Sequence, residues 1–163
     1  MTNNEINFPM AHSPMICPVF VHNEIYIDAP AERIWFWLTH ITTWPQWYNN
    51  SSNIQVLNQE DKHLQADTRF SWRTFNTNIK SEVKVFEPNE KLAWDARGTG
   101  LHAYHAWLII PQKEGGCKVV TEETQKGWLP SLGRWFLPKQ LYKQHQRWLE
   151  GLEKMSVSSL VPK

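Results

Sequence analysis

The ionisable side chains best placed to do chemistry in this chain are His145, Tyr104 and one of the adjacent pair Glu122 and Glu123. His145 belongs to a stretch of helical period. On a 100° wheel, Leu141, His145, Trp148, Leu149, Leu152 and Met155 gather on one side, with Lys139, Lys143, Arg147, Glu150 and Lys154 opposite. A histidine in the middle of an apolar face must either satisfy its ring nitrogens inside the core or meet a polar group on a ligand, where an imidazole can also move protons. Tyr104 and the two glutamates lie in stretches that read as strands. Successive strand side chains face opposite ways, so one of Glu122 and Glu123 points inward. Glu122 joins His145 and Tyr104 as a candidate acid–base group, although alternation alone gives Glu123 an equal claim. No nucleophile elbow, glycine-rich phosphate loop or Ser/His/Asp signature accompanies them.

Seven histidines raise the question of a metal. The closest pair, His102 and His105, is three residues apart on a strand and so faces opposite sides; the two cannot share an ion without a third element. No metal and no cofactor are therefore expected. Cys17 and Cys117 are distant in sequence and in no metal or redox spacing, and read as two small buried or half-buried thiols.

Ten tryptophans, seven phenylalanines and four tyrosines bring aromatic residues to 13% of the chain. Large flat rings either fill a core or line a cavity for an apolar ligand. Strand alternation puts Phe70 and Trp72 inside with Arg69 and Arg73 outside, and Leu92, Trp94 and Ala96 inside with Asp95 and Arg97 in solvent. The direction of Trp107 hangs on a register that a slip of one residue would reverse. With the helical face, these directions predict an apolar pocket lined from among Trp72, Trp94, Trp107, Trp128, His145, Trp148, Leu149 and Leu152.

These side chains need a frame. Residues 1–18 have no period and are expected to form an extended or poorly ordered arm, lying along a sheet edge. Residues 19–28 read as a first strand. Pro30 suits the first position of a helix running to about Ile41, with Asp28 or Ala29 as its cap, and a cramped second turn through Trp44-Pro45-Gln46-Trp47 ends near Asn50. Six more strands follow at 54–58, 68–75, 78–87, 91–98, 101–112 and 117–126, broken by Pro88-Asn89, Gly98-Thr99-Gly100 and Gly115-Gly116. Short connections make neighbours antiparallel. The amphipathic helix that closes the chain covers the concave face of the resulting seven-stranded sheet. A single domain then spans 19–157, leaving 158–163 as a C-terminal tail. Extending the wheel backwards places Leu132, Trp135 and Phe136 on its polar side, so the closing helix should break or kink at Pro138. Residues 128–137 then form a mobile gate; the competing reading is a static apolar patch packed on the sheet or buried in a homodimer.

The opening run of strand, Ala29-Pro30, Ile34-Trp35 and Trp44-Pro45-Gln46-Trp47 resembles the start of the START-related polyketide cyclase/dehydrase (SRPBCC) superfamily, whose fold is shared with birch-pollen-type allergens and lipid-transfer domains. The order of elements agrees over about residues 19–157. The resemblance implies an α+β helix-grip fold: a curved seven-stranded antiparallel sheet wrapped around a long C-terminal helix, with two short helices after strand 1. It also implies binding or transport of a small hydrophobic ligand, aromatic, polyketide-like or lipid, in an internal cavity. A cyclase/dehydrase-type enzyme that folds a polyketide-like substrate in the same cavity is the alternative, and a protein-interaction module using the convex face is a third.

Composition narrows the partners. Hydrophobic residues make up 41% and charged ones 20%, with a net charge of +1, and basic residues are not interleaved with rings in any nucleic-acid module. Residues 126–163 carry seven basic residues against Glu150 and Glu153, which reads as a solvated basic face of the last helix. No Lys or Arg precedes Arg33, as a secretory leader would need, and no apolar run approaches the roughly 18 residues of a membrane span. The expectation is a cytoplasmic protein with a small-molecule partner, no nucleic acid and no stable membrane insertion.

Overall fold

In the computed structural model, which describes residues 4–158, the alternating stretches become seven strands. They are β1 (Val19–Ile27), β2 (Ser52–Val56), β3 (Arg69–Thr74), β4 (Thr77–Glu87), β5 (Lys91–Gly98), β6 (Leu101–Pro111) and β7 (Cys117–Lys126). One antiparallel sheet holds them in the order β1-β7-β6-β5-β4-β3-β2, so every neighbouring pair is consecutive in sequence except β1 with β7. A register shift between Val83 and Val85 of β4 adds the local bend that an extra residue in one strand produces. The helices are α1 (Ala31–Thr39), α2 (Trp44–Trp47), α3 (Trp128–Gly133) and α4 (Leu137–Val157). This is the α+β helix-grip arrangement.

The long helix α4 buries Leu141, His145, Trp148, Leu149 and Leu152, the apolar side of the wheel, against the inner face of the sheet. Phe70, Trp72, Leu92, Trp94 and Ala96 all face inward as alternation requires, while Arg69 and Arg73 are exposed. Trp107 is opposite Leu92 across β5 and β6 and shares its inward direction. No helix among the described residues is long and apolar enough to cross a membrane.

Several local expectations change. Pro30 is the residue before α1 rather than its first: ψ is 152°, and its carbonyl accepts hydrogen bonds from the amides of Arg33 and Ile34. Pro138 does not kink a continuous helix. The break falls between α3 and α4, and Pro138 sits in the first turn of α4, where its missing N–H leaves no bond unmade. The change of direction does not bury the apolar lead-in: Leu132, Trp135 and Phe136 are exposed, Trp135 by 83%.

The N-terminal arm does not follow a sheet edge. It crosses the outer face, where Ile6 and Phe8 pack on Val85, Ala93, Tyr104 and Ala106. The Phe8 ring stands edge-on to Phe20 and Tyr104, and a short 3-10 turn, Met10–His12, buries His12. Asp95, expected in solvent, is half-buried beneath this arm. Of residues 158–163, only Ser158 falls within the described structure.

α2 crosses α4 where α4 carries Gly151. A Cβ there would lie 2.5 Å from the Trp47 carbonyl oxygen, a rigid backbone atom. Alanine is the better helix former by up to about 1 kcal/mol, but here it must push the two helices apart. Gly151→Ala is therefore expected to destabilise the protein by about 1–3 kcal/mol in a denaturant titration; an increase in stability would show that the crossing is loose.

Candidate functional site

A cavity of about 480 Å³ lies between α4, α3, the β3–β4 hairpin and the inner faces of β6 and β7. Its apolar wall is aromatic: Trp72 from β3, Trp94 from β5, Trp148 from α4, and Tyr48 following α2. Leu129, Leu137 and Leu141 border it on the helical side, and Phe75 and Asn76 at the tip of the β3–β4 hairpin complete it. Both tip residues have positive φ, 48° and 57°, an unfavourable region for a bulky ring such as Phe75. The Asn50 carboxamide oxygen accepts the Phe75 amide and braces the turn.

Trp148 is the floor of the cavity and the hub of the core beneath it. Its ring stacks on Tyr48 at 4.5 Å and 7°, and meets Trp44 at 4.8 Å and Trp107 at 5.1 Å. Trp72 donates its indole N–H to Ser81 Oγ, and Trp44 donates to the Leu38 carbonyl. The indole N–H groups of Trp94 and Trp148 are buried with no acceptor among the described residues.

The polar wall comes from three elements. β6 and β7 pair His105 directly with Glu123, and α4 brings His145 over both. His145 Nε2 donates to Glu123 Oε2 at 3.2 Å, and His105 Nδ1 lies 3.1 Å from the same oxygen. Gln125 Nε2 donates to Glu123 Oε1 at 2.6 Å, and His105 Nε2 contacts the Thr121 hydroxyl at 2.7 Å. The two imidazoles stack at 4.6 Å. All three residues are at least nine-tenths buried. Burial drives the His105 pKa down to about 3; the neighbouring carboxylate works against this, and His145 adds to it. His105 is therefore neutral over the physiological range. Burial opposes ionisation of Glu123, yet the two rings and the Gln125 amide hold its carboxyl below the usual range, so it remains a carboxylate. His145 Nδ1 has no partner among the described residues.

Of the residues expected at the site, Trp72, Trp94, Trp148 and His145 line the cavity. Trp107, Leu149 and Leu152 belong to the solid core below it. Trp128 is 60% exposed outside it and lies over Gly100, where any Cβ would run into the indole. Glu122 faces outward and pairs with His22 Nδ1 at 2.8 Å, so Glu123 is the inward member. Tyr104 is also on the outer face, among the arm residues, because it pairs with Asp95 and Thr124 and not with the inward set. His102 and His105 do face opposite sides. Sequence reasoning misses His105 as a site residue because its partners come from β7 and α4, and only the strand register brings them together.

Among the described residues, two groups hold three possible metal-ligating side chains with their ligand atoms within 4.8 Å of one another: His105, Glu123 and His145 in the cavity, and His12, Asp95 and His102 on the outer face. In the cavity group the carboxylate is met by donors. His145 and Gln125 donate to Glu123, and the one Thr121 hydroxyl proton, which has the Ala106 carbonyl at 3.2 Å and His105 Nε2 at 2.7 Å as acceptors, leaves the His105 Nδ1–H facing the carboxylate when it turns to the nearer ring nitrogen. That arrangement suits proton chemistry: a carboxylate fixes the tautomer and orientation of an imidazole beside a small-molecule cavity.

A curved antiparallel sheet gripping a long C-terminal helix, with a cavity between them, defines a helix-grip protein. The profile of the family described as "Polyketide cyclase / dehydrase and lipid transport" matches residues 19–156, and the chain belongs to that family. Among solved structures, hypothetical protein jhp0584 from Helicobacter pylori superposes with a TM-score of 0.89 at 29% identity, covering 96% of this chain and 98% of that one. TTHA0849 from Thermus thermophilus reaches 0.72 at 20% identity, covering 87% of this chain and 99% of that one. The Zhui aromatase/cyclase from a Streptomyces species also reaches 0.72, at 11% identity, covering 84% and 92%. The last two likenesses are of fold. No curated protein sequence matches the chain.

Proposed function

We propose that the protein binds and carries a small, largely apolar ligand that presents one or more oxygen acceptors, of the aromatic or polyketide-like kind. The observation that carries this reading is the cavity of about 480 Å³, in which an aromatic wall meets a buried polar one and further polar side chains. Its size is within the range of small-molecule sites, roughly 300–1,000 Å³. The polar side chains of its lining, Asn50, Thr74, Gln125 and Gln140 beside the His105–Glu123–His145 wall, favour a ligand with carbonyl or hydroxyl oxygens over a plain hydrocarbon. The family description and the Zhui likeness agree with such a ligand.

Native mass spectrometry of the protein purified from its own host tests the reading. A retained molecule of a few hundred daltons is expected, and its removal and return should change the tryptophan emission through Trp94 and Trp148. Protein that comes off empty, with emission indifferent to a panel of naphthol, polyketide and fatty-acid probes, would overturn it. On the same ligand-free monomer, α3 and the segment up to Leu137 should exchange amide hydrogens faster than 141–152, as a gate beside the cavity requires. Equal protection would make that segment a static patch.

A second reading, an enzyme of the cyclase/dehydrase kind, is favoured by the Glu123–His145 pair. An imidazole backed by a carboxylate can take a proton from a carbon next to a carbonyl and return it to a departing hydroxyl. In this reading Glu123 replaces Glu122, Tyr104 has no part, and His105 is a positioning residue. Glu123→Gln should then abolish turnover of the retained molecule while leaving its binding within about tenfold; unchanged turnover would leave carriage as the function.

A further inference from the structure

The second cluster of possible ligands lies on the outer face of the sheet, away from the cavity. Asp95 of β5 pairs across the strands with Tyr104 of β6, and His102 is two residues from Tyr104, so Asp95 and His102 are diagonal neighbours on one face. The arm supplies the third member. Lys126 Nζ donates to the Ala11 carbonyl at 2.7 Å, and Phe8 anchors on Tyr104, which together set His12 down on the pair. His12 Nε2 lies 3.1 Å from His102 Nε2 and 4.0 Å from Asp95 Oδ2, and His102 Nε2 is in close contact with the same carboxylate oxygen.

Hydrogens serve this convergence poorly, because one N–H must be shared between two acceptors. His102 Nε2 meets both a carboxylate oxygen and another ring nitrogen, but a neutral imidazole has one proton there. If that proton serves Asp95, the lone pair of His12 Nε2 shares the same N–H from the side; if His12 also carries a proton at Nε2, two N–H groups face each other at 3.1 Å. One divalent cation in place of the proton satisfies all three atoms at once. Ligand atoms around a tetrahedral ion at about 2.0–2.1 Å are roughly 3.3 Å apart, so His12 and His102 are already close to that spacing, and Asp95 must draw back slightly from His102. The opposite nitrogen of His12, Nδ1, faces the buried Thr124 hydroxyl at 3.4 Å, the outer contact that fixes a metal-binding tautomer with Nε2 free.

We propose that His12, Asp95 and His102 bind a divalent transition-metal cation of the zinc type, and that the ion clasps the N-terminal arm to the outer face of the sheet. Two imidazoles and a carboxylate are the borderline donor set that such ions prefer over magnesium or calcium. The fourth position is open to solvent or to an exogenous ligand. The site is illegible in the sequence because its ligands come from an arm with no period and from two strands whose register brings Asp95 beside His102.

The test uses the full chain, free of any purification tag and stripped with a chelator. Zn²⁺ uptake is followed by competition with a chromophoric chelator, and Co²⁺ uptake by its visible absorption. One ion per chain is expected, with the strong visible bands of four-coordinate cobalt. His12→Ala and Asp95→Asn should abolish stoichiometric uptake, and Thr124→Val should weaken it by about 10–100-fold. His63→Ala, in the separate His40–His63 stack, should leave it unchanged. Hydrogen exchange gives a second readout: Zn²⁺ should slow exchange of the amides around 8–13 in the unsubstituted protein and not in His12→Ala, which alters the arm and not the residues of the sheet. Absence of a stoichiometric ion, uptake unaffected by His12→Ala and Asp95→Asn, or uptake lost in His145→Ala but kept in His12→Ala would each overturn the proposal, the last by moving the ion to the cavity.

Discussion

Trp148→Ala is expected to cost about 3–5 kcal/mol of folding stability, the range for removing a large buried aromatic side chain, and so a large part of the roughly 5–15 kcal/mol that holds a typical domain. The side chain is 1% exposed, and its ring touches those of Tyr48, Trp44, Trp72, Trp94, His105 and Trp107. Each of those rings would lose packing partners on one side at once. Relief comes only from the cavity, which can merge with the new space and admit water, so the cost should fall toward the lower end of the range. Trp148→Phe keeps most of the stacking and removes an indole N–H that has no acceptor, and should cost less than half as much. Chemical denaturation of both variants checks the pair. A Trp148→Ala cost below about 1 kcal/mol would mean that the aromatic cluster is not the central packing unit.

The aromatic excess of the sequence therefore divides in a way that composition does not reveal. Trp44, Trp94, Trp107 and Trp148 are among the largest fully buried side chains, while Trp128 and Trp135 are exposed. The inward direction of Phe70, Trp72, Leu92 and Trp94 is legible because each alternates with charged or small residues, and the α4 face is legible because an apolar stripe at helical period has only one side to bury. Glu122 and Glu123 are not. Around them Val120 and Thr124 of the outer side are buried like Val119 and Thr121 of the inner one, Thr124 beneath His12 of the arm, and a strand buried on both faces has no alternation to read. Tyr104 misleads for the same reason: an outer face read as solvent has no place for a buried tyrosine. The order of elements can be read without any register. The Glu123–His105 pairing cannot, because it depends on which residue of β6 is opposite which residue of β7.

Acid is expected to destabilise the protein through that pairing. The His105 imidazole titrates near 6.5 when exposed and is driven down to about 3 by burial in the folded chain, with Glu123 opposing the shift and His145 adding to it. Above pH 6.5 both states carry the neutral ring and nothing is lost. As pH falls from 6.5 toward 3, the unfolded chain gains a proton that the folded chain does not, so stability drops by about 1.4 kcal/mol per pH unit across that window. Between about pH 6.5 and pH 4 this single residue accounts for roughly 3 kcal/mol. The Glu123 carboxyl, held below its usual range, contributes in the same direction but at lower pH, where the unfolded glutamate protonates first. His105→Gln removes the titrating group while retaining a polar side chain opposite Glu123, so it should lose stability at neutral pH and yet show a flatter dependence below it. The quantity to measure is the slope of unfolding free energy against pH from about 4 to 6, by denaturant titration of both proteins. Histidines outside this wall contribute equally to both and cancel in the difference, which should correspond to about one proton. Identical slopes would show that His105 takes up its proton in the folded state. The buried wall would then carry an imidazolium facing Glu123, an ion pair beside the cavity instead of a neutral ring.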